Sequence, residues 1–235
     1  MKNVFYWSIV AALAGLLFGF DTVVISGADK KLQNLWESSD GFHGTVVMGM
    51  ALWGTVVGAL FGSFPTQRLG RKTTLFWIGV LYTISAVGSA LSNDPIVFAV
   101  FRFIGGLGVG ISTIAAPAYI SEIAPPKDRG RLVGLYQFNL VFGILLAFLS
   151  NYLLSDIGDN AWRWMMGVEA FPAILFTLLC LTIPKSPRWL ITRGLVDEAK
   201  AIYAKVDPNG SFDQLLQEIN QSVTSENKSE SIFNK

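Results

Sequence analysis

Charge is scarce in this sequence. Asp, Glu, Lys and Arg make up only 15% of its 235 residues, against about 25% in a soluble globular domain. There is one cysteine, Cys180, which excludes a disulfide framework within the chain. There is one histidine, His43, so no Cys/His set is available to hold a metal. Both read as structural or incidental residues. The formal net charge is +1 and no basic cluster is dense, which leaves no electrostatic footing for nucleic acid. Nothing pairs a nucleophile with a base, so the sequence does not read as an enzyme, and it implies no cofactor.

Apolar residues are what it has. They form 51% of the chain, with 17 Phe, 7 Trp and 23 Gly, and they come in blocks of about twenty, enough to cross about 30 Å of hydrocarbon at about 1.5 Å per residue. Six spans are expected at Val4–Ala28, Gly44–Phe64, Thr73–Ser92, Pro95–Ile120, Leu132–Leu154 and Trp164–Ile183. The expected fold is an all-α membrane protein of six transmembrane helices. The first block is not read as a signal peptide, because it runs past twenty residues, is interrupted by Asp21 and lacks a small-residue cleavage site.

Loop charges orient the spans. Arg68, Arg71, Lys72, Lys127, Arg129, Arg131, Lys185, Arg188 and Arg193 fall on one side, and Lys30, Lys31 and Arg163 on the other. The positive-inside rule places the first set, and both termini, in the cytoplasm. The setting expected is the cell (inner) membrane, with the lipid bilayer as the immediate partner. After residue 184 the character changes. Ser186-Pro187 reads as a helix start, Arg188–Arg193 as a short surface helix closed by Gly194, and Leu195–Val206 and Phe212–Val223 as short helices with charged faces. Three regions follow: a bundle over residues 1–184, a helical segment over 185–223, and a polar, disordered tail over 224–235.

Polar residues within the spans carry the functional signal, because charge at membrane depth is expensive. Counting along the helices puts Asp21 about 22 Å from the cytoplasmic side, Arg102 about 9 Å from the outer side and Glu169 roughly 8–10 Å from it. On a bilayer of about 30 Å these are nearly one level. A carboxylate beside Arg stays ionised, and one moved away takes up a proton. Making and breaking the Asp21–Arg102 pair therefore carries a proton, and a fixed interhelical tie is the alternative. Glu169 reads as a proton relay or as a protonated, hydrogen-bonded acid near the interface. Gln137, near mid-depth, has the donor and acceptor that suit a hydroxyl-rich ligand, or an interhelical hydrogen bond. The run Gly105-Gly106-Leu107-Gly108-Val109-Gly110 has no preceding strand and no following Lys-Ser/Thr, so it is not a phosphate loop. With Gly15, Gly19, Gly54, Gly58 and Gly62 it reads as a smooth face for close helix approach.

Four stretches together resemble the sugar porter family of the major facilitator superfamily. They are Gly15 to Gly27; Gln67-Arg68-Leu69-Gly70-Arg71-Lys72; Arg102 to Gly110 continuing from Pro117 through Glu122 to Arg129-Gly130; and Pro184-Lys185-Ser186-Pro187-Arg188. The resemblance covers Phe5 to about Val206. It implies a 3+3 inverted repeat and alternating-access transport of a hexose, pentose or cyclic polyol, coupled to protons through Asp21, Arg102 and Glu169. By the same resemblance Phe18, Gln137 and Ile144 lie at the sugar. Arg68, Gly70, Arg71, Lys72, Glu122, Arg129 and Arg188 belong to a charge network that closes the inner gate.

Three positions depart from the family pattern. Gln67 stands where Asp is usual, so a gate pairing is lost or becomes a neutral hydrogen bond. Lys185 stands where Glu is usual and would repel Arg129 and Arg188. Ile144 replaces a second Gln found in some members. The first two imply a weaker inner gate. The family also has twelve spans, so the implied partner is a second six-helix half, either a C-terminal bundle or a homodimer mate. A non-transporting sensor or partner subunit derived from a transporter is the alternative.

Overall fold

In the computed structural model residues 2–208 and 210–221 are described, and they form helices with no strand among them. Five helices are long and apolar enough to cross a membrane: span 1 (Asn3–Gly27), span 3 (Arg71–Leu91), span 4 (Pro95–Ile123), span 5 (Arg129–Leu154) and span 6 (Ala161–Thr182). Span 2 is the bent pair Asp40–Met48 and Met50–Phe61, which meet at 40°. The sequence reading had a continuous helix here. The first piece instead winds as a π-helix over His43–Met48, and such one-turn insertions are a recognised cause of sharp bends. Span 6 is also interrupted, with helices Ala161–Gly167 and Ala170–Thr182 flanking Val168 and Glu169.

Local chemistry sets several helix ends. Asp94 caps span 4 by accepting from the backbone N–H of Ile96 and Val97 at 2.8 and 3.1 Å, with Pro95 at the first helical position, where its missing N–H costs nothing. Ser186 does the same for the helix Pro187–Thr192, accepting from the Trp189 N–H at 3.2 Å. That helix stops before Gly194, whose φ of 75° suits glycine. Helices occupy Pro187–Thr192 and Val196–Val206, each within a residue of the expected Arg188–Arg193 and Leu195–Val206. The third expected helix is present over residues 212–221. The expected tail from Thr224 onward lies outside the described residues.

Glycine determines how the spans pair. Span 1 runs parallel to span 5, and span 2 parallel to span 4. A Cβ added to Gly19 would meet the Leu140 carbonyl carbon at 2.9 Å and Ile144 N at 3.0 Å, and one on Gly143 would meet the Leu16 carbonyl carbon at 2.9 Å. In the other pair, Gly106 would collide with the Ala51 backbone and Gly58 with that of Leu107. These approaches are backbone on backbone, so only glycine allows them. Exchanging spans 1–3 with spans 4–6 converts the 1–5 pair into the 4–2 pair, as an inverted repeat requires.

Two cores fill the bundle. One joins Trp7, Leu17, Tyr82, Tyr119, Tyr136 and Phe176 to Ala199, Ile202, Val206 and Ile219 of the segment after span 6. The helices beyond residue 184 are therefore packed onto the basic end of the bundle. The second core lies at the opposite end, where Trp36, Phe98 and Trp162 meet at ring-centroid distances of 5.3 to 6.3 Å. His43 is buried beside it, hydrogen-bonded to Asp29 at 2.8 Å and Ser38 at 3.1 Å, which is the structural role expected of it. Cys180 is buried in the first core.

Candidate functional site

Asp21, Arg102 and Glu169 come together in the bundle. Span 1 supplies Asp21 from its last helical turn, span 4 supplies Arg102 two turns in, and span 6 supplies Glu169 at its break. All three are buried, at 1%, 2% and 1% exposure. Arg102 Nη1 donates to Asp21 Oδ1 at 2.5 Å, and Nη2 donates to the Asp21 backbone carbonyl at 2.8 Å. Glu169 stands within electrostatic reach of both. Asp21 Oδ2, Arg102 Nε and Glu169 Oε1 have no hydrogen-bond partner among the described residues. Two carboxyls thus share one guanidinium, and a single proton on either acid makes the group neutral.

Gly105, one turn beyond Arg102, makes room for this group. A Cβ there would meet the Ser85 Cβ at 2.9 Å and stand 3.5 Å from Asp21 Oδ1. Span 3 borders the cluster with Tyr82, Ser85 and Ser89, all fully buried and each with a hydroxyl that lacks a partner among the described residues. Their spacing, i, i+3 and i+7, sets them on one helix face.

The three residues implied at the sugar sit on the closely packed spans 1 and 5. Gln137 is exposed, and Phe18 and Ile144 are half-buried. Gln137 and Ile144 are seven residues apart, so they share one side of span 5. The Gln137 side chain makes no hydrogen bond among the described residues, which leaves its amide available rather than spent on a neighbouring helix. Asn139, in contrast, is turned back onto the Leu135 carbonyl at 2.9 Å.

At the basic end the charge network has a definite centre. Glu122 receives Arg71 Nη2 at 2.8 Å and Nε at 3.0 Å on one oxygen, and Ser186 Oγ at 2.5 Å on the other. Span 4 is thereby tied both to the start of span 3 and to the loop after span 6. Gly70 sits at φ 86°, and a Cβ there would strike the Trp189 ring. The Trp189 indole N–H in turn donates to the Gln67 carbonyl at 2.8 Å. Lys72 donates to the Leu181 carbonyl at 3.0 Å. Arg68 is not at Glu122; its guanidinium lies over the Phe64 ring at 5.5 Å. Arg129 and Arg188 line a cavity of about 450 Å³ together with Glu122, Tyr203, Asp207 and Glu218.

The two positions expected to weaken an inner gate resolve differently. The Gln67 side chain bonds within its own helix, to Ser63 at 3.1 Å, so the cross-helix pairing is replaced by a local neutral hydrogen bond. Lys185, expected to repel its neighbours, has a partner in Glu198 at 3.3 Å. Glu198 lies in the first turn of the helix Val196–Val206. The repulsion expected at this position is therefore offset, because a carboxylate from a helix further along the chain neutralises the lysine.

Sequence reasoning missed Tyr82, Ser112, Tyr136, Ser186 and Glu198. Ser112 Oγ lies 3.2 Å from Tyr136 Oη inside the bundle and donates to the Val109 carbonyl at 2.7 Å. The spacing of hydroxyls on the buried face of span 3 was a signal available in the sequence. Ser186 reads from the sequence only as a helix start and Glu198 only as part of a charged helix face, while Ser112 and Tyr136 carry neither charge nor motif.

Six apolar spans with paired inverted halves and a buried Asp–Arg–Glu group define a bundle of the major facilitator type. The chain belongs to the sugar (and other) transporter family, whose profile matches residues 7–235. It is 38% identical over 251 residues to the D-xylose-proton symporter of Escherichia coli K12, covering 94% of this chain and 51% of that protein. It is 40% identical over 240 residues to the glucose transport protein of Synechocystis, covering 97% and 51%. It is 36% identical over 222 residues to the arabinose-proton symporter of Bacillus subtilis, covering 92% and 48%. The proton:xylose symporter XylE bound to 6-bromo-6-deoxy-D-glucose superposes with a TM-score of 0.89 at 35% identity, over 97% of this chain and 54% of that one. The chain spans about half the length of the relatives it matches.

Proposed function

We propose that this chain supplies one six-helix bundle of a proton-coupled sugar transporter that works by alternating access. The observation that carries the reading is the Arg102 guanidinium bonded at once to the carboxylate and the carbonyl of Asp21, with Glu169 beside them. A charge group so deeply buried is expensive in a membrane, and function is the usual reason it is kept. When Asp21 is ionised, Arg102 holds spans 1 and 4 together. When Asp21 takes a proton, the ionic bond is lost and the hold between the two spans weakens to the bond that Arg102 makes with the Asp21 carbonyl. Proton binding is thus linked to the relative position of the helices that border the sugar.

The substrate class is a pentose, a hexose or a cyclic polyol. Gln137 offers a donor and an acceptor to sugar hydroxyls, Phe18 offers an apolar face, and Ile144 bounds the site. The rest of the polar shell comes from a second six-helix half, as in folds that bind substrate between repeats. The ends bearing Arg71, Arg129 and Arg188 face the cytoplasm of a cell whose inner membrane holds the protein. There the Arg71–Glu122–Ser186 group closes the inner gate. The membrane bundle lies within residues 1–184, and the described residues of 185–221 brace its cytoplasmic end.

The test is uptake into proteoliposomes by the transporter that contains this chain. Asp21→Asn is expected to abolish accumulation driven by a pH gradient while sparing exchange of labelled for unlabelled sugar. Wild-type uptake that is indifferent to the pH gradient would refute proton coupling.

A further inference from the structure

We infer that Tyr82, Ser112 and Tyr136 form a hydroxyl path that carries the proton from the Asp21–Arg102–Glu169 group toward the basic end of the bundle. This inference rests on the reading of the chain as half of a proton-coupled transporter. Tyr82 is buried at 0% exposure in the middle of span 3. Burying a phenol hydroxyl without a partner is costly, and Tyr82 Oη has no hydrogen-bond partner among the described residues. Asp21 from span 1 and Glu169 from span 6 lie within electrostatic reach of it, as do Tyr136 from span 5 and Ser112 from span 4; Ser85, one turn along the same face of span 3, meets the site of Gly105 beside Asp21. Its ring packs over Gly108 of span 4, whose added Cβ would stand 3.8 Å from Tyr82 Cε2. Arg102 is the cation of the same group.

The second half of the path is already connected. Ser112 Oγ and Tyr136 Oη are 3.2 Å apart. Because Ser112 spends its hydrogen on the Val109 carbonyl, Tyr136 is the donor in this arrangement. Along the chain the path descends: Ser112 is about 15 Å further along span 4 than Arg102 at the helical rise per residue, and Tyr136 is about 10 Å from the Arg129 end of span 5.

The transfer is conserved in atoms. A protonated carboxyl of the buried group gives its proton to Tyr82 Oη, which releases its own to Ser112 Oγ. Ser112 turns its O–H away from the Val109 carbonyl and passes that hydrogen to Tyr136 Oη, which releases one to water. Each O–H bond broken is matched by one formed, and rotation of the three hydroxyls resets the path. Tyr82 Oη is bonded to neither neighbour in this structure, so the links on its two sides, to the carboxyls and to Ser112, are the points at which the path opens or closes.

Two rates in proteoliposomes containing the full transporter decide the matter: accumulation driven by an imposed pH gradient, and sugar exchange at equal pH. Tyr82→Phe and Tyr136→Phe each remove one oxygen and keep the ring. Each is expected to slow gradient-driven accumulation by about tenfold, the loss that goes with one deleted hydrogen-bonding link, and to leave exchange within about twofold. Ser112→Ala should act alike, and the double Tyr82→Phe/Tyr136→Phe variant should be no slower than either single one, since one break interrupts the path. Equal slowing of both rates would make the hydroxyls structural and overturn the path, as would accumulation at the wild-type rate. A wild-type protein that exchanges sugar but never responds to the gradient would overturn the proton-coupled reading itself, and the path with it.

Discussion

Arg102 grips Asp21 at two points of different kind, the side-chain carboxylate at 2.5 Å and the backbone carbonyl at 2.8 Å. Protonation can release the first but not the second. The guanidinium therefore stays anchored to span 1 while the ionic bond is made and broken, which favours re-formation of the same pair. Lysine has one point of charge and no planar fork, so it cannot reproduce both bonds from the same position.

Substitutions at this pair should be non-additive. Arg102→Leu leaves a buried carboxylate uncompensated and is expected to destabilise the bundle by about 3–5 kcal/mol. Asp21→Asn/Arg102→Leu removes both charges and should recover a large part of that loss. Unfolding of the detergent-solubilised protein, followed for the two singles and the double, measures the coupling. A double variant as unstable as the sum of the singles would show that no such pair exists.

The glycine contacts between spans give a second expectation. At Gly106 a Cβ would strike the Ala51 carbonyl group, whereas at Gly134 nothing lies within 4 Å. Gly106→Val should destabilise the bundle by about 1–3 kcal/mol or more through forced separation of spans 2 and 4. Gly134→Val lies in helix as well but should change stability by less than about 1 kcal/mol. Equal effects at the two sites would mean that helix propensity, rather than close packing, explains the glycines.

Hydrophobic periodicity and length were enough to place the spans. The agreement in depth of Asp21, Arg102 and Glu169 was enough to place the charged group, because an apolar block of fixed thickness turns sequence position into height. The break in span 2 was not legible. His43-Gly44-Thr45-Val46-Val47-Met48 carries no proline, so no local signal marks its extra winding. The rescue of Lys185 by Glu198 was hidden for another reason. The partner lies 13 residues away on a separate helix, and nothing short of the fold brings the two together. Tyr82, Ser112 and Tyr136 were passed over because a hydroxyl in an apolar span is common and uncharged.

The Lys185–Glu198 pair reverses the effect expected of a family-like replacement. Lys185→Glu would restore the usual residue but set it against Glu198, which now lies 3.3 Å from the lysine nitrogen. Both side chains are about two-fifths exposed, at 44% and 43%, so solvent limits the pair to under about 1 kcal/mol. Lys185→Glu is expected to loosen the contact between the Pro187–Thr192 and Val196–Val206 helices and the bundle. Lys185→Glu/Glu198→Lys should restore it. Limited proteolysis of the segment after residue 184 reads the difference, and faster cleavage of the charge-swapped double than of the single would refute the pairing.

Gln137 separates a binding role from a structural one. Its side chain is exposed and makes no hydrogen bond among the described residues, so Gln137→Ala removes nothing that holds the bundle together, and its unfolding temperature should stay at the wild-type value. A sugar that has given up water to reach this amide loses one donor and one acceptor in the variant. Leaving such groups unmet costs about 1–3 kcal/mol, or roughly tenfold to a hundredfold in affinity. Binding of a pentose and of a hexose by calorimetry on the full transporter is the measurement. Loss for both places Gln137 at a hydroxyl common to the two sugars, and loss for one places it at the position where they differ. Unchanged affinity for both, with stability preserved, would remove Gln137 from the sugar site and leave Phe18 and Ile144 as its only proposed contributors from this half.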